Sequence, residues 1–154
     1  MDLSDLITAD AIVPALKVNS KKQVIQELAG KAASITGLPE RDIFDTLLQR
    51  ERLGSTGVGH GIAIPHGKPV ALDRLVGVFA RLDRPIDFDA LDDQPVDLVF
   101  VLLAPEGAGA DHLKALARIA RQLRDPSIAA KLRASTDTDA IYALLTQNLN
   151  SNAA

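Results

Sequence analysis

The chain has 154 residues, of which 47% are hydrophobic and 24% are charged, a composition typical of one globular domain that can bury a core without metal or disulfide support. The net charge of −3 and the few aromatic residues (four Phe, one Tyr and no Trp) argue against a nucleic-acid-binding protein, which usually needs a basic surface or stacking platforms. Since cysteine is absent, disulfides, thiolate chemistry and cysteine-bound metals are excluded, as is common in a reducing cytosol.

The amino terminus lacks the features of a secretion signal. Residues 1–6 show no basic segment leading into an apolar one, and no stretch of the chain approaches the ~20 apolar residues of a membrane span. We therefore predict a cytoplasmic protein with one domain over residues 1–154, ordered over residues 3–147.

The first predicted elements are a short strand and a helix. Residues 11–18 favour an extended segment, which Pro14 confines to the edge of a sheet. Ser20 is the predicted N-cap of a helix, with Gln23 three residues later in the capping-box arrangement. Gly37 ends this helix.

A second helix is predicted from Pro39, a residue suited to a first helical turn, to the residues just before Gly54. Its apolar positions are Ile43, Phe44, Leu47 and Leu48. The charged run Arg50-Glu51-Arg52 at its end is typical of a solvated helix terminus.

The segment between the second helix and the next strands is rich in glycine. Five glycines lie at positions 54, 57, 59, 61 and 67. They do not form a nucleotide-binding phosphate loop, because Lys68 is followed by Pro69 and residues 62–64 favour a strand. We predict a glycine-rich loop that leads into a strand.

Two further strands and three helices complete the predicted α/β fold. Residues 75–82 and 96–103 are apolar and β-branched, and the second strand is central because both its faces are apolar. Asp111 is the predicted N-cap of a long helix. Its expected buried stripe is Leu113, Leu116, Ala117, Ala120 and Leu123.

The carboxyl-terminal region favours short helices. Asp125-Pro126-Ser127 interrupts the long helix, and two shorter ones are predicted near residues 127–134 and 137–147. Residues 148–154 form a predicted polar tail.

His66 is the leading candidate for chemistry. It follows an apolar run and stands between Pro65, which restricts the backbone, and Gly67, which lets an anion or another molecule approach the main chain. A histidine of ordinary pKa, ~6.5, is mostly neutral in the cytosol and can accept a phosphoryl group. The alternative is a turn histidine that simply follows a buried strand.

Four other residues could assist at the phosphoryl oxygens. Arg50 could bind two of them with its guanidinium, and His112 would lie near a helix amino terminus that favours anions. Ser55 and Thr56 could donate hydroxyl hydrogen bonds. Each has an ordinary alternative: a solvated charge for Arg50, a surface histidine for His112 and local backbone capping for the hydroxyls.

Two other chemistries are disfavoured. A zinc site of His60, His66 and His112 lacks the i, i+4 spacing of helical zinc motifs, and a serine hydrolase lacks the G-x-S-x-G turn. We expect neither a metal nor an organic cofactor.

The whole of Arg50–Lys68, with its Gly-Ser-Thr-Gly-Val-Gly and Gly-Ile-Ala-Ile-Pro-His-Gly-Lys segments, resembles the active-site stretch of the fructose/mannitol-type enzyme IIA family of the bacterial phosphotransferase system. The likeness continues through residues 85–90, 94–100, 103–105 and 112–113 and so covers nearly the whole chain. A free-standing domain with this loop is most similar to the nitrogen-regulatory branch.

The resemblance implies a mixed β-sheet flanked by helices, in the mannitol/fructose-type enzyme IIA fold. It also implies that Nε2 of His66 accepts a phosphoryl group from a phosphohistidine of an HPr-like carrier (NPr in the nitrogen branch), supported by Arg50 and His112. The phosphorylation state would then regulate target proteins, such as potassium transporters or sensor kinases. A sugar-specific enzyme IIA that feeds a IIB domain, and a binding module that is never phosphorylated, remain the alternatives.

His60 departs from the pattern, since a small amide such as Asn is expected there. We predict that His60 mildly tunes phosphorylation without being required. Candidates for the apolar surface that docks the carrier are Val58, Ile62 and Ile64, some of which alternate inward.

Overall fold

A computed structural model of the chain describes residues 1–148. The predicted tail lies outside the described residues from position 149 onward. The strands are β1 Ile12–Leu16, β2 Gly57–Gly59, β3 Ile62–Ala63, β4 His66–Gly67, β5 Val76–Ile86 and β6 Val96–Leu103. The helices are α1 Lys21–Thr36, α2 Glu40–Arg52, α3 Ala110–Arg124, α4 Pro126–Arg133 and α5 Thr138–Thr146. None of the helices over residues 1–148 is both long and apolar enough to cross a lipid bilayer.

The sheet is mixed, and β6 lies inside it. The strand order is β1-β5-β6-β3-β2, with β4 also paired to β6. β5 and β6 are antiparallel, whereas β3 and β4 run parallel to β6. Seven of the eight residues of β6 are buried, as its continuous apolar sequence predicts, and β1 occupies an edge, as Pro14 requires. The mixed α/β architecture is therefore confirmed.

Helix α1 forms as its sequence predicts. The Oγ atom of Ser20 accepts a hydrogen bond of 3.2 Å from the Gln23 amide, and Gly37 ends the helix at a φ of 77°, a left-handed conformation that costs glycine little. The Gln23 side chain reaches back to the amide of Asn19 (2.7 Å), one residue before the N-cap. The inward face is fully buried, with Val24, Ile25, Leu28, Ala29 and Ala32.

Helix α2 buries a stripe that includes a charge. Ile43, Leu47 and Glu51 recur every four residues and all three are buried. The expectation of a wholly solvated charged run at this helix end is therefore wrong for Glu51. Pro39 is the N-cap residue and stands just outside the first turn.

Helix α3 begins two residues earlier than its sequence predicts. Gly109 is the N-cap with a φ of 53°, and Asp111 lies inside the first turn, so the prediction of Asp111 as the N-cap is wrong. A residue at this positive φ is strained unless it is glycine, which explains the choice. The buried stripe consists of Ala115, Ile119, Gln122 and Leu123. Leu113 and Ala117, expected inside, are exposed.

The two last helices carry side-chain caps. The carboxylate of Asp125 accepts from the Ile128 amide (3.1 Å), and that of Asp137 accepts from the Ala140 amide (3.0 Å). Asp N-caps of this kind satisfy backbone donors that have no partner inside the helix. These caps and Pro126 explain why α3, α4 and α5 are separate helices.

Candidate functional site

His66 lies on β4, at the carboxyl end of the central strand. It pairs with Leu102 in parallel register, and backbone bonds hold it on both sides: Leu102 N–H donates to Pro65 O (2.9 Å) and Ala104 N–H donates to Gly67 O (3.0 Å). The ring is half-buried. Because the backbone on either side is hydrogen-bonded to the sheet, the Cα position of His66 is fixed, unlike that of a histidine on a free loop.

A backbone carbonyl orients the His66 ring. Nδ1 lies 2.8 Å from the carbonyl oxygen of Ile64, two residues back. A carbonyl oxygen only accepts hydrogen bonds, so Nδ1 carries the proton and the neutral ring presents the lone pair of Nε2. Burial is the largest influence on the pKa of His66 and lowers it. The Ile64 bond and Glu51 raise this pKa, and Arg50 lowers it, with a net lowering.

Helix α3 places the ring of His112 against that of His66. The two ring centroids are 5.5 Å apart, with the planes inclined at 54°. Nε2 of His112 is buried and has no hydrogen-bond partner within residues 1–148. Burial lowers the pKa of His112, and the charges of His66 and Lys68 lower it further. A buried ring nitrogen without a partner is a ready contact for an incoming polar group.

Lys68 was not selected from the sequence as a site residue. Its electrostatic effect on the pKa of His112 puts its exposed ammonium group close enough to add positive charge at the site. Its position two residues after His66 is the signal that would have identified it.

Arg50 enters the site from the end of α2. Its Nη1 donates to the carbonyl oxygen of Gly54 at 2.9 Å, which closes the helix end. The side chain is half-buried, and its charge contributes to the lowered pKa of His66. One of the five N–H groups of a guanidinium makes the Gly54 bond, so the group can hold the turn and still bind an anion. The sequence-predicted trio of His66, His112 and Arg50 therefore meets at one place.

The predicted hydroxyl donors have other partners. Ser55 Oγ donates to Phe88 O (2.6 Å) and accepts from the Gly57 amide (3.0 Å). Thr56 is buried, and its Oγ1 donates to Glu51 Oε2 (2.6 Å). These bonds shape the loop before β2. Only the bond between the Gly57 amide and Ser55 is the local backbone capping named as the alternative.

Gly67 also has a packing role. A Cβ built at this position would lie 2.6 Å from Cγ2 of Thr46 on α2. The group that approaches the main chain closely is thus a helix residue, a contact that the sequence did not indicate. This close approach sets α2, and with it Arg50, beside β4.

Glu51 is the main residue that the sequence-based selection missed. Its carboxylate accepts from the Thr56 amide (2.9 Å) and hydroxyl and pairs with the Lys21 ammonium at 2.9 Å. Its position four residues after Leu47, on the apolar stripe of α2, could have identified it from the sequence. Acidic residues are seldom buried without a partner, so one at a core position indicates a specific role.

His60 lies far from His66. β3 begins opposite Leu98, whereas His66 pairs with Leu102, so four residues of β6, about 13 Å, separate the two levels of the sheet. The exposed His60 amide donates to Asp92 (3.0 Å), and its carbonyl accepts from Arg133 (2.7 Å). The ring of His60 therefore does not adjoin that of His66, and a mild effect of His60 on phosphorylation stays a prediction. Within residues 1–148 no cluster of three His, Cys, Asp or Glu side chains is arranged to hold a metal ion.

Three exposed apolar residues lie next to site residues in the chain. Leu53, Val70 and Leu113 are 85%, 75% and 68% exposed. Leu53 and Val70 follow Arg50 and His66 within four residues, and Leu113 follows His112 directly. Ile62 and Ile64, expected as docking candidates, are buried, and Val58 is half-buried. We call Leu53, Val70 and Leu113 the apolar rim.

Known proteins share this sequence and fold. The family model described as "Phosphoenolpyruvate-dependent sugar phosphotransferase system, EIIA 2" matches residues 5–148. The nitrogen regulatory protein of Bradyrhizobium diazoefficiens is 68% identical over 145 residues, which cover 94% of this chain and 95% of that protein. The crystal structure of nitrogen regulatory protein IIA-Ntr from Neisseria meningitidis has a TM-score of 0.89 at 36% identity and covers 94% of this chain and 99% of its own.

The crystal structure of IIA mannitol from Escherichia coli is more distant, with a TM-score of 0.75 at 25% identity over 90% of this chain and 97% of its own. The family that the sequence resemblance implies is thus confirmed by the family model and the Bradyrhizobium relative, and the fold is confirmed by the two solved structures. The chain belongs to the EIIA 2 family of the phosphoenolpyruvate-dependent sugar phosphotransferase system.

Proposed function

We propose that the protein is a phosphocarrier in which Nε2 of His66 accepts and then releases a phosphoryl group. The observation that carries this proposal is the 2.8 Å contact of Nδ1 with Ile64 O, which leaves Nε2 as the nucleophilic nitrogen of a neutral ring. The lowered pKa of His66 supports it, because the ring stays unprotonated at neutral pH.

The chemical step is an exchange between two histidines. The Nε2 lone pair forms a new N–P bond while the N–P bond of the donor histidine breaks, its electron pair returning to the donor ring. The Nδ1 proton stays in its bond to Ile64 O, which stabilises the positive charge that the phosphorylated ring acquires. Little else is required, since phosphoryl transfer depends mainly on positioning and charge stabilisation.

The supporting groups divide between direct and indirect roles. Arg50 and His112 would contact the phosphoryl oxygens, the first as a cation and the second through its unpartnered Nε2. Lys68 would add positive charge from the exposed side. Ser55, Thr56 and Gly67 would support the site by shaping the loop and the packing of α2, as their described bonds suggest.

The donor would be a small carrier with its own phosphohistidine, HPr-like and of the NPr type in a nitrogen branch. The apolar rim around the site offers such a carrier a surface that water solvates poorly. We place this exchange in the cytoplasm.

The output would be regulatory. A phosphoryl group adds −1.5 to −2 charge at neutral pH, enough to change which protein docks at the same face. The similarity at 68% identity to a protein named for nitrogen regulation favours this role over sugar transport. Targets such as potassium transporters or sensor kinases would then distinguish the two states of His66.

Intact-mass spectrometry tests the proposal. The protein is incubated with phosphoenolpyruvate, the cognate enzyme I and the HPr-like carrier, under conditions that spare acid-labile phosphohistidine. We expect one phosphoryl adduct on the wild type and none on His66→Ala. A wild type without an adduct, beside a carrier shown to phosphorylate another acceptor, would refute phosphotransfer and leave a binding module.

A second assay separates the regulatory role from sugar transport. The phosphorylated protein is mixed with IIB domains specific for fructose or mannitol, and loss of the adduct is followed over time. Retention of the phosphoryl group is expected for a regulator, whereas rapid transfer to a IIB domain would identify a sugar-specific enzyme IIA.

A further inference from the structure

We propose that Glu51 is a positioning residue for phosphoryl transfer, which through Thr56 sets the orientation of the His66 ring and the end of the helix that carries Arg50. This inference rests on the proposed function of His66. Glu51 itself does not contact the phosphoryl group in this scheme.

The burial of Glu51 is the first observation. The residue is only 5% exposed, and both carboxylate oxygens are engaged. Oε1 accepts from the Thr56 amide (2.9 Å) and from Lys21 Nζ (2.9 Å), and Oε2 accepts from Thr56 Oγ1 (2.6 Å). Thr56 is thus held at two atoms by one carboxylate, an arrangement that fixes its backbone as well as its side chain.

A short chain of bonds leads from Thr56 to the reactive ring. The carbonyl oxygen of Thr56 accepts from the Ile64 amide at 3.0 Å. The carbonyl oxygen of Ile64, on the same residue, contacts His66 Nδ1 at 2.8 Å. A shift of Thr56 would therefore move the acceptor that selects the protonated nitrogen of His66.

A second arm runs to Arg50, the neighbour of Glu51 on α2. The Gly54 amide donates to Glu51 O (3.2 Å), and the Gly54 carbonyl accepts from Arg50 Nη1 (2.9 Å). The turn that Arg50 closes is thus the one that leads from the buried carboxylate to Thr56. The Gly54 bond uses the backbone of Glu51, so the carboxylate acts on Arg50 by fixing Thr56 at the other end of this turn.

Packing alone does not explain an acid at this position. Glu51 continues the stripe of Ile43 and Leu47, where an apolar side chain would fill the same space without desolvating a charge. A buried ion pair such as that with Lys21 contributes little net stability, because the cost of burying the charges offsets their attraction. The carboxylate does what a leucine cannot, namely accept two hydrogen bonds from Thr56.

The test compares Glu51→Gln with the wild type. Glutamine keeps the shape, but the amide nitrogen that replaces one carboxylate oxygen only donates, so it cannot accept the proton of the Thr56 hydroxyl, and the negative charge that faces Lys21 is lost. We expect transfer from the phosphorylated carrier to slow roughly 10- to 100-fold, the size of effect that a small misplacement of reacting groups causes. In ¹⁵N NMR spectra of the unphosphorylated protein, the His66 ring should change from the Nδ1-protonated form to a mixture of tautomers.

Asp137→Ala is the matched control. It also removes a carboxylate that accepts a backbone amide (Ala140, 3.0 Å), but on the remote helix α5. It should lower the midpoint of thermal unfolding and leave both the transfer rate and the His66 tautomer unchanged. Wild-type rate and tautomer in folded Glu51→Gln would overturn the inference.

A second pair of variants covers the case in which Glu51→Gln does not fold. Thr56→Val removes the hydroxyl that Glu51 binds, and Thr56→Ser keeps it. Slow transfer and mixed tautomers in the first, with recovery in the second, would support the inference, and equal behaviour of the two would refute it. The NMR measurement of the His66 tautomer needs no phosphoryl transfer. A wild type that accepts no phosphoryl group would therefore refute the proposed function, while the tautomers of the variants would still test the positioning role of Glu51.

Discussion

At the scale of single residues, a backbone carbonyl and burial set the state of the His66 ring. The bond to Ile64 O holds the proton on Nδ1, and the half-buried position disfavours the charged ring. The bond raises the pKa of His66 and burial lowers it, and because burial has the larger effect the ring stays neutral, with Nε2 free. The neighbouring His112, also with a lowered pKa, avoids placing a second cation against the first ring.

The first prediction concerns pH. Because the pKa of His66 is lowered, the neutral ring persists as the pH falls through ~6.5, the ordinary histidine value. Its capacity to accept a phosphoryl group should therefore decline with a midpoint below ~6.5, at a lower pH than for an ordinary histidine, as the ring becomes protonated. An NMR titration of the His66 ring, which is independent of the carrier, measures the midpoint. A midpoint at or above that of the same residue in urea-unfolded protein would contradict the prediction.

The second prediction concerns His112. Replacing it with alanine removes a ring that lies 5.5 Å from His66 and a nitrogen available to the phosphoryl oxygens. We expect acceptance to slow by about 10², as when one donor is removed from a charge-stabilising site. Rapid-quench assays with the phosphorylated carrier would measure the rate.

His60→Asn provides the control for His112→Ala. His60 is bonded through its backbone to Asp92 and Arg133 at the other end of β3. The His60→Asn variant should therefore accept the phosphoryl group at nearly the wild-type rate. A larger loss in His60→Asn than in His112→Ala would show that the assignment of supporting residues is wrong.

At the scale of elements, the site depends on how closely α2 approaches β4. The absence of a side chain at Gly67 lets the methyl group of Thr46 lie where a Cβ would be. The approach places the end of α2, with Arg50 and Glu51, beside His66. A helix that stood further from the sheet would carry the guanidinium away from the ring.

The third prediction follows from this contact. Gly67→Ala would put a Cβ 2.6 Å from Thr46 Cγ2 and force α2 or β4 to shift. We expect a loss of about 1–3 kcal/mol in the free energy of unfolding, measured by urea denaturation, together with slower phosphoryl acceptance. Thr46→Ser, which removes the clashing methyl and keeps the hydroxyl bond to Asp42 O, should restore most of both losses in the double variant. A double variant as impaired as Gly67→Ala would exclude this contact as the cause.

At the scale of the whole molecule, we propose that the His66 ring and the apolar rim share one docking face. Leu53, Val70 and Leu113 come from three separate segments, each of which also supplies a site residue. A carrier that covers this face would bring its phosphohistidine to His66 and bury the rim in the same event. Burial of exposed apolar area provides the driving force for such an encounter.

The fourth prediction tests this surface. Leu113→Asp and Val70→Asp should each raise the dissociation constant for the HPr-like carrier about tenfold. In each variant a charge replaces an apolar contact that the carrier would bury, worth about 1–2 kcal/mol of binding free energy. Leu91→Asp is the control, since Leu91 is 90% exposed on the turn bonded to His60, at the far end of β3. Isothermal titration calorimetry would measure the affinities. Equal weakening by the Leu91 variant would indicate a general charge effect and contradict docking at the rim.

Much of this protein was predictable from its sequence because the deciding interactions are local. The N-cap of Ser20, the left-handed turn at Gly37 and the apolar run of β6 each depend on residues near them in the chain. The site trio of His66, Arg50 and His112 was predicted too, but from a family resemblance that supplied what periodicity could not. The prediction of Asp111 as the N-cap failed because Gly109, two residues earlier, could also serve, and only the backbone conformation at Gly109 distinguishes them.

The sequence, with its family resemblance, determined most of the elements and the mixed sheet and selected His66 as the candidate phosphoryl acceptor. Only the tertiary structure decided which bond holds the proton on Nδ1, why Glu51 is buried and which apolar residues remain exposed. It also placed His60 just before β3, whose first residue lies about 13 Å along β6 from the level of His66. The physical reason is that hydrogen-bond partners and solvent exposure depend on contacts between segments distant in the chain, such as Glu51 with Lys21 and His66 with His112.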